Sequence, residues 1–68
     1  MAVDAYMKLP YTIETTKEDD GSYFIKVKEL PGCMSYGETL DEAYAMIADA
    51  MKSWLTVQIE DGQEIPVP

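Results

Sequence analysis

The 68-residue chain contains no histidine and no arginine. Without imidazole it can form no Ser–His or Cys–His pair, and it lacks the commonest nitrogen ligand of metal ions. Arginine is the usual bidentate reader of phosphates and guanines, so its absence argues against direct nucleic-acid binding by this chain. Its four glycines do not form a phosphate-binding pattern. We therefore expect no cofactor and no metal, and only carboxylates remain as candidates for catalysis.

Cysteine and long apolar runs are also scarce. The single cysteine, Cys33, excludes an intrachain disulfide and is interpreted as a buried small hydrophobe in a reducing compartment. No basic cluster surrounds it to activate the thiol. The chain has no run of about 18 apolar residues, so we expect no membrane span. Residues 1–11 lack the basic start and apolar block of a signal peptide, and the expected location is the cytoplasm.

Acidic residues, in contrast, are abundant. Thirteen aspartates and glutamates face five lysines, for a net charge of −8. Such a protein is repelled by phosphate backbones and is complementary to a basic partner. The simpler interpretation, that the charge keeps a small protein soluble, stays open. The length predicts one domain, residues 1–68, whose small core gains stability from a partner or from self-association.

Alternating apolar and polar residues predict a three-stranded antiparallel meander. The predicted strands are residues 9–16, 23–28 and 33–36. Pro10 cannot donate a ladder hydrogen bond and should lie at a strand start or on an edge. A polar turn that contains Asp20 and Gly21 joins the first two strands, and Leu30-Pro31-Gly32 ends the second.

A helix start follows the third strand. Thr39 is the predicted N-cap, Glu42 closes a capping box three residues later, and the acids of the first turn suit the helix dipole. The helix should end between Ile59 and Asp61, with Gly62 as the C′ residue. Apolar residues at three- and four-residue steps predict the stripe that faces the sheet. They are Leu40, Ala43, Tyr44, Ile47, Met51, Trp54 and Leu55.

The two ends of the chain show no such order. Residues 1–7 have no clear period and are predicted to be a frayed end. Residues 63–68 carry two prolines at alternate positions, so they should form an extended tail or a short edge strand rather than a helix. With the meander and the helix, this predicts an α+β fold: a three-stranded antiparallel sheet, one amphipathic helix and a short C-terminal strand.

Four blocks of the sequence, taken in order, resemble the N-terminal domain of HicB-type antitoxins. The resemblance covers residues 9–68 and lies in the order and spacing of the blocks rather than in any one of them. The blocks are Tyr11-Thr12-Ile13-Glu14, Asp20-Gly21-Ser22-Tyr23-Phe24-Ile25, Leu30-Pro31-Gly32-Cys33 and Gly37-Glu38-Thr39-Leu40-Asp41-Glu42-Ala43.

The resemblance implies a β-β-β-α-β, partial RNase H-like fold. It implies a non-enzymatic antitoxin that binds and blocks a HicA-like toxin, a small basic ribonuclease that cleaves mRNA. Family members usually add a C-terminal DNA-binding domain that represses their own operon. The sequence stops at Pro68 without such a domain, which puts autoregulation in doubt.

The first hypothesis is therefore a toxin-binding module of a type II toxin–antitoxin system, with no catalytic residues. The family motif mostly determines the fold, so charge alone selects the residues expected to contact the toxin. These candidate partner-binding residues are Glu14, Asp19, Asp20, Glu29 and Glu38.

Two other classes of function stay open. One is a reduced RNase H-like nuclease, in which Glu14 would meet Glu38 or Asp49 around divalent ions. The other is a small oligomeric scaffold or ligand-binding domain of HicB-like fold without a toxin. A meander also leaves sheet edges open, and the second strand, with Phe24 facing outward, is expected to pair with another copy in a homodimer.

Overall fold

The structure, a computed structural model, describes residues 2–68, with side chains from Val3 onward. Two helices and three strands make up the fold. They are α1 (Ala2–Met7), β1 (Ile13–Lys17), β2 (Tyr23–Val27), β3 (Met34–Gly37) and α2 (Leu40–Glu60). The predicted α+β class is confirmed: an antiparallel sheet carries the long helix α2 on one face.

The sheet is the predicted meander, in the order β1-β2-β3. Ile13 pairs with Val27 at one end of the β1–β2 ladder. Tyr23 pairs with Gly37 at the far end of the β2–β3 ladder. Because β2 has a partner on both sides, it has no free edge, and the expected homodimer contact through the second strand is wrong. β1 and β3 are the edge strands of this sheet.

The two faces of the sheet follow the period-two pattern. Ile25 and Val27 point into the core and are buried. Phe24 lies on the opposite face, where its ring packs on Tyr36 with centroids 5.1 Å apart and a tilt of 56°. The outer face thus keeps an aromatic pair in partial contact with solvent.

Capping sets both ends of α2. The hydroxyl of Thr39 accepts a hydrogen bond from the Glu42 N–H at 3.1 Å, as predicted, but the Glu42 carboxylate accepts from the N–H of Glu38, at 3.3 Å, rather than from that of Thr39. At the other end Gly62 has φ of 67°. The Gln63 N–H donates to the Gln58 carbonyl at 2.9 Å, which completes a Schellman motif. Neither helix in the described part of the chain is both long and apolar enough to cross a bilayer.

The inner face of α2 supplies much of the core, but the predicted stripe is too long. Four of its residues are buried (Ala43, Ile47, Met51 and Leu55). Leu40 and Tyr44 are exposed. A helix of 21 residues spans about 31 Å, whereas strands of four or five residues span about 17 Å at most. α2 is therefore longer than the sheet that it covers, and part of its apolar stripe stays exposed.

The two ends of the chain also differ from expectation. Residues 2–7 form helix α1 instead of a frayed end, with Val3, Tyr6 and Met7 packed against the core; Met1 lies outside the described residues. The tail, residues 63–68, forms no strand. Its Ile65 is buried, and the Tyr11 hydroxyl donates a hydrogen bond to the carbonyl of Pro66 at 2.7 Å.

Candidate partner-binding surface

The loop between β1 and β2 presents two of the predicted acidic residues. Asp20 is held in a tight turn, because its Oδ1 accepts hydrogen bonds from the Ser22 N–H at 2.9 Å and from the Ser22 hydroxyl at 2.6 Å. These bonds, the hydroxyl first, lower the pKa of Asp20 below its usual value. Asp19 precedes it and is exposed. The loop thus holds one carboxylate in place and leaves its neighbour free.

Glu38 lies beside this loop because of the strand register. Tyr23, the residue after the loop, pairs with Gly37, the residue before Glu38. Asp20 and Glu38 consequently line one polar depression of about 290 Å³, together with Gly21 and Ser22. We call Asp19, Asp20 and Glu38 the acidic end of the molecule.

Gly37 allows this arrangement by bringing the start of α2 close to the strand. A Cβ built at residue 37 would lie 2.7 Å from the Cα of Ala43 and 3.0 Å from its Cβ. Only glycine permits so close an approach. Asp41, in the first turn of α2, is exposed and adds a fourth carboxylate near the acidic end. The sequence had assigned it to the helix dipole alone.

Glu14 lies elsewhere, on the outer face of the sheet. It pairs across the strands with Lys26, with 3.6 Å between the Lys26 Nζ and the Glu14 Oε1, and both side chains are about half exposed. An exposed pair of this kind contributes little to stability. Glu14 is thus available to solvent, but its charge is partly balanced.

Glu29 lies at the opposite end of the sheet, after β2. Its two carboxylate oxygens accept hydrogen bonds from the N–H and the hydroxyl of Thr12, both at 2.8 Å. These two bonds hold the pKa of Glu29 below its usual value, the backbone bond being the larger cause. Glu29 therefore ties the start of β1 to the end of β2, a role that its position in the sequence did not reveal.

No group of three or more acidic or cysteine residues that could hold a metal ion occurs in residues 2–68. Cys33 is buried as predicted, and burial raises the pKa of its thiol. The thiol therefore stays protonated at neutral pH.

An apolar cleft of about 370 Å³ lies between the turn after β2 and the C-terminal half of α2. Its walls include Gly32, Met34, Ala50, Trp54 and Val57. The Trp54 indole N–H donates to the Pro31 carbonyl at 3.0 Å, which ties the turn to the helix. We call this the Trp54 cleft. The sequence placed Trp54 only on the apolar stripe of the helix.

Known proteins resemble this chain in sequence and in fold. Residues 9–68 match the family model described as a HicB-like antitoxin of bacterial toxin–antitoxin systems. A UPF0150 protein of Archaeoglobus fulgidus is 40% identical over 63 residues, which cover 90% of this chain and 88% of that protein. Antitoxin HicB 1 of Photorhabdus laumondii is 34% identical over 62 residues, or 91% of this chain but only 39% of the antitoxin.

A solved structure agrees with the sequence matches. The crystal structure of the N-terminal domain of the Burkholderia pseudomallei antitoxin HicB superposes with a TM-score of 0.72 at 30% identity. The match covers 82% of this chain and 66% of that one. The three strands and the long helix are thus the fold of that domain.

Proposed function

This chain belongs to the HicB-like antitoxin family of bacterial toxin–antitoxin systems, and from that membership we propose that it binds and neutralises a HicA-like, mRNA-cleaving toxin in the cytoplasm. In this role it is a binding protein without catalytic activity of its own. The observation that carries the proposal is the family match over residues 9–68. The net charge of −8 supports it independently, because the proposed partner is basic.

The acidic end is the part of the surface best suited to contact such a toxin. A ribonuclease binds the phosphates of its substrate through cationic side chains, and carboxylates at the acidic end compete with RNA for those cations. Asp19 and Glu38 are exposed, while Asp20 is preordered by its bonds to Ser22. Preordering lowers the entropy lost on binding.

The other two predicted residues contribute from a distance. Glu14 and Glu29 lie on the outer face and at the opposite end of the sheet, respectively. We propose that they add to the field that steers the toxin to the chain, while the acidic end makes the direct contacts. Steering depends on the summed charge and weakens as salt screens it.

Co-expression is the direct test of the function. A neighbouring reading frame for a small basic protein should arrest growth when expressed alone, and growth should recover when this chain is added. Purified chain should suppress RNA cleavage by that toxin and cleave no RNA itself. A neighbour that is harmless alone, or that stays toxic beside the folded chain, would refute the antitoxin proposal and favour the scaffold alternative.

Charge reversal tests the acidic end against a matched control. The variant Asp19→Lys/Glu38→Lys leaves Asp20 unchanged, because Asp20 holds the turn. The control Glu60→Lys/Glu64→Lys makes the same change in net charge at the last residue of α2 and in the tail that follows it; Glu60 is about 30 Å from the start of α2 by helix rise. We expect the first variant to slow association at low salt by about tenfold or more, and the control far less. Equal slowing by both would mean that net charge acts without a defined contact.

A further inference from the structure

The outer edge of β3 carries backbone groups that are free to accept another strand. The Val27 N–H donates to the Cys33 carbonyl at 3.0 Å, just beyond the β2–β3 ladder, so the Cys33 carbonyl points towards β2. Hydrogen-bonded pairs alternate along a strand, and the register places Ser35 opposite Ile25. Ser35 therefore turns its N–H and C=O groups towards β2, on the same side as the Cys33 carbonyl. The N–H and C=O groups of Met34 and Tyr36 point to the free edge.

This edge lacks the features by which proteins protect exposed strands. Edge strands usually carry charged side chains, proline or a bulge. β1, the other edge, has Glu14 and Lys17. β3 has neither a charge nor a proline, and its side chains Met34 and Tyr36 are 49% and 59% exposed. An open, apolar and uncharged edge of this kind is suited to pairing.

Helix α2 extends over the space beside this edge. Among the described elements, α2 packs more extensively on β3 than on β2 and does not reach β1. Beyond the edge lies the Trp54 cleft, where Ala50 is half-buried and Val57 is 52% exposed. A fourth strand placed next to β3 would therefore have one face covered by the apolar side of α2.

One end of the β3 edge is apolar and the other is acidic, and this difference determines what kind of segment can bind there. The Trp54 cleft adjoins Met34 at the start of β3, and Glu38 follows directly after its end. An extended chain covers the four residue steps between these positions in about 14 Å. A segment that fits both ends has an apolar side chain for the cleft and a lysine or arginine about four positions away. A second copy of this chain fits worse, because two chains that each carry a net charge of −8 repel one another.

We propose that the edge of β3 binds an extended, basic segment of the toxin by strand addition, with one apolar side chain of that segment in the Trp54 cleft. This inference rests on the proposed function and names the surface by which it operates. Backbone hydrogen bonds at Met34 and Tyr36 supply affinity, and the cleft and the acidic end select the side chains.

Amide hydrogen exchange measures directly whether the backbone N–H groups at the edge of β3 are hydrogen-bonded. The probe is the toxin found by co-expression, purified in a form that cannot cleave RNA. In the free chain the amides of Met34 and Tyr36 should exchange fast, while that of Ser35, bonded to β2, should be protected. On binding, the exchange of Met34 and Tyr36 should slow by about tenfold or more, with a much smaller change at the amides of β1.

Two pairs of variants test the backbone and the cleft separately. Tyr36→Pro removes the edge N–H and the ring, whereas Tyr36→Thr removes only the ring; proline is tolerated where the N–H of an edge strand faces solvent. Val57→Gln alters the cleft, whereas Ile59→Gln changes a similar exposed residue outside it. We expect Tyr36→Pro to bind the toxin about tenfold more weakly than Tyr36→Thr, and Val57→Gln about tenfold more weakly than Ile59→Gln. Thermal melting confirms that the four variants are folded.

The outcomes separate this inference from the proposed function. If no toxin binds, the function fails and the inference fails with it. If the toxin binds and is neutralised while Tyr36 exchanges as fast as in the free chain, only the inference fails. If Tyr36→Pro converts a dimer of the isolated chain into a monomer and leaves toxin affinity unchanged, the edge belongs to a second copy and the inference is again overturned.

Discussion

Replacing Ile47 by alanine removes a side chain from the centre of the contact between α2 and the sheet. Ile47 is 2% exposed, so the neighbouring atoms lose their contacts and a cavity is left behind. Truncations of this kind cost about 2–5 kcal/mol. A domain of 68 residues has a total stability of about 3–10 kcal/mol at the usual stability per residue. A single substitution should therefore remove a large part of the stability of the whole fold.

Leu40→Ala is the matched control, because the sequence places Leu40 on the same apolar stripe. In the structure Leu40 is 43% exposed, in the first turn of α2. Alanine is at least as good a helix former as leucine. The free energy of unfolding should change by less than about 1 kcal/mol, as for other surface positions.

Urea and thermal unfolding followed by circular dichroism measure both variants. One kcal/mol shifts the melting temperature of a domain of this size by about 4–8 °C, so Ile47→Ala should melt at least about 8 °C below the parent chain. Leu40→Ala should melt within a few degrees of it. Equal losses for the two variants, or no loss for Ile47→Ala, would refute this description of the core.

Further predictions concern the contact between residue 37 and α2, the stability of the fold at low pH, the reactivity of Cys33 and the binding of DNA. Gly37→Ala should destabilise the fold by about 1–3 kcal/mol, because its Cβ would meet the backbone of Ala43; urea unfolding tests this, and an unchanged midpoint would contradict it. The hydrogen bonds from Thr12 lower the pKa of Glu29 in the folded chain. They therefore contribute fully to the stability of the fold above the pKa of Glu29 in the unfolded chain, about 4.3. This contribution is lost as the pH falls through the lower pKa of the folded chain. Glu29→Gln should therefore flatten the fall in stability below about pH 4, and an unchanged pH profile would argue against it. Cys33 should react slowly with thiol reagents in the native chain and rapidly in urea, and fast native labelling would show that it is accessible. The 68-residue chain should not shift its upstream DNA in a gel at moderate salt, because it has no arginine and a charge of −8; a specific shift would overturn this.

The sequence predicted correctly those elements of the fold that depend on interactions between residues close together in the chain. The strands follow a period-two pattern, and the cap at Thr39 and the terminator at Gly62 depend only on nearby backbone groups. These features were predictable because a cap or a turn acts over a few residues.

Helix α1 was not predictable in this way. It has six residues, and a helix that short is not stable alone in water. Its Val3, Tyr6 and Met7 gain stability by packing against the core. The exposure of Leu40 is likewise a matter of tertiary packing, which the helical period alone does not give.

The candidate surface was only partly predictable for a related reason. The five acidic residues were chosen by charge, and charge does not tell which of them lie together. The register that pairs Tyr23 with Gly37 brings Asp20 and Glu38 to one depression. The pairing of Glu29 with Thr12, 17 residues apart in sequence, is likewise a product of the hairpin.

The hydrogen bond from Trp54 to Pro31 gives the molecule a built-in optical reporter. Trp54 is the only tryptophan, and its indole joins two segments 23 residues apart in sequence, beside the apolar cleft. Indole emission responds to the polarity and hydrogen bonding around the ring. Unlabelled protein can therefore show by fluorescence whether the turn stays docked on the helix, and burial of the cleft under another chain should shift the emission to shorter wavelength.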